Sequence, residues 1–94
     1  MINYNGEDFN EIIKTRVLVD FYANWCGPCR LLAPVLNSVT NDIKVVKVDI
    51  DKYNELAREN GVMSIPCLVM FDEGKDIKRN VGFIPEAKLK EFIK

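Results

Sequence analysis

Ninety-four residues, 48% hydrophobic and 29% charged, suit one domain with a single modest core. Thirteen basic against fourteen acidic residues leave a formal charge of −1, which attracts neither nucleic acid nor an anionic membrane. No apolar run reaches the ~18–20 residues of a membrane-spanning helix, and Met1-Ile2-Asn3-Tyr4-Asn5-Gly6-Glu7-Asp8 lacks the basic and apolar regions of a secretory signal. Residues 1–94 are therefore expected to form one cytoplasmic domain, without repeat, linker or membrane segment.

In chain order, Ile2 to Tyr4 is a short strand candidate. Glu7 to Lys14 reads as a helix, with Phe9, Ile12 and Ile13 at i, i+3, i+4 spacing. Val17 to Tyr22 is almost continuously apolar, the pattern of a central strand buried on both faces. From Cys29 to about Asn41 the residues Leu32, Val35, Leu36 and Val39 share one helical face, and Pro34 inside it predicts a kink. Val45 to Ile50 is a β-branched strand. Asn54 to Asn60 reads as a helix stopped by Gly61 at its C′ position. Cys67 to Phe71, the turn Asp72-Glu73-Gly74-Lys75 and a strand from Asp76 to Val81 form a hairpin. A last helix starts near Pro85, with Leu89, Phe92 and Ile93 inward. The order β-α-β-α-β-α-β-β-α predicts an α/β fold with parallel early strands and an antiparallel edge.

The chemistry is concentrated in Trp25-Cys26-Gly27-Pro28-Cys29-Arg30, directly after the apolar strand. Two thiols in a C-x-x-C pair can close a disulfide locally if the second opens a helix and the first sits at its N-terminal end. There the unpaired N–H groups and the positive end of the helix dipole favour thiolate, the species that attacks disulfides. Cys26 is thus the candidate nucleophile and Cys29, expected to be shielded, the resolving thiol. A zinc half-site is the alternative, but the chain has no His and only Cys67 as a further thiol. The uncharged Gly27-Pro28 gives the thiolate no extra stabilisation, which favours a reductant over an oxidant.

Over its whole length the chain resembles the thioredoxin family. The resemblance is carried by Val19-Asp20-Phe21-Tyr22-Ala23 leading into Trp25-Cys26-Gly27-Pro28-Cys29, then by Pro34, Lys47, Ile65-Pro66 and Val81-Gly82. It implies a thioredoxin fold, a central mixed five-stranded sheet with four helices on both faces, and Pro66 in cis beside the disulfide. It also implies a protein-disulfide reductase with no bound cofactor or metal. Electrons would come from a flavin-dependent thioredoxin reductase and pass to disulfide-containing clients such as peroxiredoxins and reductases. The default state is a monomer.

Asp20 lies in an apolar strand, where alternation could leave it at an exposed strand end. If it is buried, desolvation raises its pKa and it can exchange a proton with Cys29. The resemblance supports the second role and pairs Asp20 with Lys47, which on its own would be read as solvent-facing. It also draws Trp25, Gly27, Pro28, Ser64, Ile65, Pro66, Val81 and Gly82 into a client-binding rim, although Trp25 could instead be core. Cys67 stands where the family usually has Thr, either as a small buried residue or as a third redox-active thiol. Tyr22 replaces a frequent Trp, and Arg30 a frequent Lys. An oxidase or isomerase of the same fold and a non-catalytic binding subunit are the competing functions.

Overall fold

Val17–Tyr22 carries the most deeply buried strand, and a sheet is built outward from it on both sides. The computed structural model describes residues 1–94. Its elements are β1 (Ile2–Asn3), α1 (Phe9–Ile12), β2 (Val17–Tyr22), α2 (Gly27–Asn37), β3 (Lys44–Asp49), α3 (Asn54–Glu59), β4 (Cys67–Asp72), β5 (Lys75–Val81) and α4 (Glu86–Phe92). The sheet order is β1-β3-β2-β4-β5. β1 and β2 both run parallel to β3, while β4 is antiparallel to β2 and to β5. The antiparallel strand is therefore β4, inside the sheet, and the edge strand β5 runs the same way as β2. The hairpin β4–β5 thus supplies the expected antiparallel edge of the sheet, because α3 returns the chain to the far side of β2 in reversed direction.

Alternation sorts the strands into two faces. Val17, Val19, Phe21, Val46, Val48, Cys67, Val69 and Phe71 pack with Phe9, Ile13 and Ala57 from the α1–α3 layer. Leu18, Val45, Leu68 and Met70 pack with Leu32, Leu36, Val39, Leu89 and Ile93 from the α2–α4 layer. Helices thus cover both faces, as expected.

Several boundaries moved for local reasons. α1 starts at Phe9 because the Asp8 side chain accepts the Asn10 N–H at 3.1 Å, leaving Glu7 outside, and it is a single turn ending at Ile12. α2 begins at Gly27, two residues early. Cys26 is its N-cap, and Pro28 sits in the first turn where a missing N–H costs no intrahelical bond. It ends at Asn37, with turns carrying Val39 to the core. Gly61 does close α3: it adopts φ 68°, its N–H donates to the Arg58 carbonyl at 3.0 Å, and the Val62 N–H donates to that of Ala57 at 3.0 Å. The hairpin turn is only Glu73-Gly74, both at positive φ (53° and 80°), which matches the twist of the flanking strands.

Candidate active site

The end of β2 delivers the chain to the first turn of α2, and that junction holds both thiols. Cys26 caps the helix in an extended conformation (φ −89°, ψ 112°), and its sulfur accepts the Cys29 N–H at 3.2 Å. The Cys29 side chain projects from the third helical residue back toward this cap. The two form a disulfide with Cα atoms 5.2 Å apart, inside the range a disulfide spans without backbone movement. Cys26 Sγ also lies 3.9 Å from the Ile65 carbonyl oxygen, to which a free thiol here could donate. The two cysteines are 6% and 4% exposed, so the expected contrast in access is slight at residue level in the oxidised state. Gly27 is half-buried and Pro28 exposed.

Beneath α2 lies Asp20. It is 1% exposed, and neither carboxyl oxygen has a hydrogen-bond partner. The exposed strand-end alternative is excluded. Its register partners are Lys47 on β3 and Leu68 on β4. Desolvation raises the Asp20 pKa to about 7 against the opposing pull of Lys47. Lys47 is half-buried, and its Nζ sits 4.2 Å from the centroid of the Tyr22 ring. A cleft of about 170 Å³ brings Lys47 and Tyr22 together with Cys29, Arg30 and Ala33. The sequence thus led to Asp20 and Lys47 as neighbours, but gave no sign that the ammonium rests on a ring.

The Ile65-Pro66 bond is cis, and Pro66 accepts the Gly82 N–H through its carbonyl at 2.8 Å. This bond sets Val81-Gly82 beside Ile65 and hence beside Cys26. Gly82 has φ 96°, and a Cβ there would meet nothing within the chain, so its backbone conformation is what calls for glycine. Trp25 is 67% exposed, and Val81, Phe83 and Ser64 are also exposed. Trp25 therefore belongs to the surface. Its indole N–H donates to Asp51 Oδ2 at 3.0 Å. Asp51 was not anticipated: it lies 26 positions away, in an acidic-basic stretch that reads as solvated surface. Met63, two residues before Ile65, is 94% exposed, which its setting in Gly61-Val62-Met63-Ser64-Ile65 does not signal.

Cys67 opens β4 within the α1–α3 core. Burial pushes its thiol pKa up, against the Arg79 guanidinium 4.0 Å away, and so disfavours the reactive thiolate. It is the small buried residue of the two alternatives. No group of three or more His, Cys, Asp or Glu side chains is arranged to hold a metal ion, and no helix is long and apolar enough to cross a membrane.

Comparison with known proteins settles the kinship of this arrangement. The Thioredoxin family model matches residues 1–94. The chain belongs to the thioredoxin family. A thioredoxin from Mycoplasmoides gallisepticum is 43% identical over 95 residues, covering 96% of this chain and 95% of its own. A solved mutant thioredoxin from Halobacterium salinarum superposes with a TM-score of 0.90 at 35% identity, over 98% of this chain and 86% of that one. A second structure, described as the basis of thiol resolving in a yeast mitochondrial 1-Cys peroxiredoxin via glutathione/thioredoxin systems, gives 0.84 at 31% identity, over 98% and 92%. With the family's chemistry and its own cysteine pair closed, the chain is a thiol–disulfide oxidoreductase that acts as a protein-disulfide reductase. Its redox group is the Cys26–Cys29 disulfide itself.

Proposed function

We propose that residues 1–94 form one domain that donates electrons to client disulfides by two successive exchanges. The Cys26 thiolate attacks one client sulfur, forming a Cys26–client bond and expelling the other client sulfur as thiolate. Cys29 then attacks the Cys26 sulfur, closing the intramolecular disulfide and releasing the second client thiolate. Two electrons pass to the client. Asp20, once ionised, accepts the Cys29 proton as that thiol becomes the attacking thiolate, and Lys47 is its charged neighbour in this step. The observation that carries the reading is the Cys26 sulfur at the α2 cap, accepting the Cys29 N–H: the same donor and helix end favour a thiolate there after reduction.

Trp25, Gly27, Pro28, Ser64, Ile65, Pro66, Val81 and Gly82 form the client-binding rim in this reading. It is supported by exposed apolar side chains around the sulfurs and by an Ile65 carbonyl facing Cys26. An extended client segment could pair with that backbone. A flavin-dependent thioredoxin reductase resupplies the electrons. The peroxiredoxin named with one structural relative supports clients of that type, alongside other reductases. The protein works as a cytoplasmic monomer without nucleic-acid or membrane partners, in line with its near-neutral charge.

The test is reduction of insulin disulfides by dithiothreitol, with the unmodified protein, Cys26→Ser and Cys67→Ser. Acceleration is expected with the unmodified protein and Cys67→Ser, and only the uncatalysed rate with Cys26→Ser. Absence of acceleration by the folded, unmodified protein would favour a binding subunit with an unused cysteine pair.

A further inference from the structure

Asp20 and Lys47 stand opposite each other across β2 and β3, yet no hydrogen bond joins them. A carboxylate attracts an ammonium more strongly than a ring quadrupole does at equal distance. Even so, Lys47 Nζ lies over the Tyr22 ring, and both Asp20 oxygens are left alone. Solvation accounts for the choice. In the cleft the half-buried ammonium keeps part of its hydration, whereas closing onto a 1%-exposed carboxyl would strip it. The ring offers a partner without that cost. Tyr22 is two residues beyond Asp20 on β2, so strand alternation puts both side chains on the α2 side. Burial, then Asp49 and Asp20, pushes the Tyr22 hydroxyl pKa up, which keeps the ring neutral.

We propose that Tyr22 is a positioning residue whose ring holds the Lys47 ammonium in the cleft and off the Asp20 carboxyl, leaving that carboxyl free to exchange a proton with Cys29. The inference rests on the reading of Asp20 as proton acceptor. The titratable and charged groups coupled to Asp20 are Tyr22 on its own strand, Lys47 on β3 and Cys67 on β4, while Asp49 on β3 acts on Tyr22, and Cys29 with Arg30 on α2 lines the cleft that Tyr22 and Lys47 share. Arg30 is engaged elsewhere, donating to the Asn24 carbonyl at 3.0 Å. Lys47 is the cation whose charge acts on Asp20. The desolvation cost alone does not hold Lys47 away; the ring tips the balance, and without it the carboxyl is the register partner left for the ammonium, whose contact lowers a carboxyl pKa by about 1–3 units. Asp20 would then be ionised but ion-paired, a weaker proton acceptor.

The experiment follows the Asp20 carboxyl by ¹³C NMR through a pH titration of the disulfide form. Tyr22→Phe keeps the ring and is expected to titrate like the unmodified protein. Tyr22→Leu is expected to titrate about 1 unit lower. In a Lys47→Met background, Tyr22→Leu should produce no such drop. An equal drop in that background would mean that the ring acts by excluding water, and would overturn the proposal, as would an unchanged titration in Tyr22→Leu alone. A measurement without substitution guards against misfolding of the variant. The Lys47 ε-methylene protons should be shifted upfield by the ring, and ordinary lysine shifts would overturn the placement. Insulin turnover by Asp20→Asn separates the two readings. Unimpaired turnover beside the expected titrations supports the Tyr22 placement and overturns the proton-acceptor role.

Discussion

One strand, β2, shows two different faces to the two helix layers. Toward α1 and α3 it presents Val17, Val19 and Phe21, all buried in an uninterrupted apolar cluster that Phe9 and Phe71 close with rings 5.6 Å apart, edge to face. Toward α2 and α4 it presents Leu18, Asp20 and Tyr22, so that an apolar contact, an orphaned carboxyl and a polar-tipped ring follow one another. Both faces hang on the same backbone ladder to β3 and β4. The difference is what lies above. The first face meets a cluster of apolar and aromatic side chains, while the second runs under the helix turn that holds the disulfide. Both faces carry large apolar clusters, but only the second also buries a carboxyl, whose desolvation costs stability where the proposed proton exchange with Cys29 would use it.

Substitutions at adjacent positions of β2 should therefore change stability in opposite directions. Phe21→Ala removes the largest side chain of the apolar face and should cost about 3–5 kcal/mol in urea unfolding at pH 7. Asp20→Asn should stabilise the fold at pH 7, by on the order of 3 kcal/mol. The sign follows from linkage. The folded-state pKa of about 7 exceeds the unfolded value of about 3.9, so the folded protein holds the proton more tightly. The resulting stability is full below pH ~4 and is lost as pH rises toward 7, whereas the amide titrates nowhere in this range. The gain from Asp20→Asn should accordingly grow between pH 4 and 7 and vanish below. Insulin turnover at neutral pH should fall by at least about tenfold in the same variant. A loss of stability at pH 7 would break the comparison, because the carboxyl would then be holding its face together.

The same contrast explains what could be read in the sequence. Val17 to Tyr22 announced the central strand and its burial on both faces. The cysteine pair and its place after that strand announced the chemistry. Whether Asp20 was buried stayed open, because alternation gives a side and not a depth. The depth comes from α2 starting at Gly27 and lying over the strand end, which depends on Cys26 acting as a cap. The position of Lys47 was legible as a register partner only through family resemblance, and its contact with Tyr22 was not legible at all, since that depends on competing solvation costs. Likewise, the Asp8 side-chain bond moved the start of α1 from Glu7 to Phe9, while Phe9, Ile12 and Ile13 kept the inward face their spacing predicts.

The rim around the disulfide adds a third kind of region, held by neither burial nor a charge cost. Trp25 is mostly exposed, and its polar anchor is the bond to Asp51. An exposed bond of this kind contributes about 1 kcal/mol or less, so Asp51→Ala should barely move the urea midpoint. Its effect should appear in the geometry of the rim. Trp25 is the chain's single tryptophan, so intrinsic fluorescence reports this one side chain. Asp51→Ala should lower its emission anisotropy and raise the KM for insulin about two- to tenfold with kcat kept, since a freed indole must be ordered again on binding at about 0.5–1.5 kcal/mol per side chain. Asp51→Asn retains an oxygen acceptor and should behave like the unmodified protein. If the anisotropy stays the same in Asp51→Ala, packing against neighbouring atoms holds the indole instead, and the rim is closer in kind to the apolar face than to the site it surrounds.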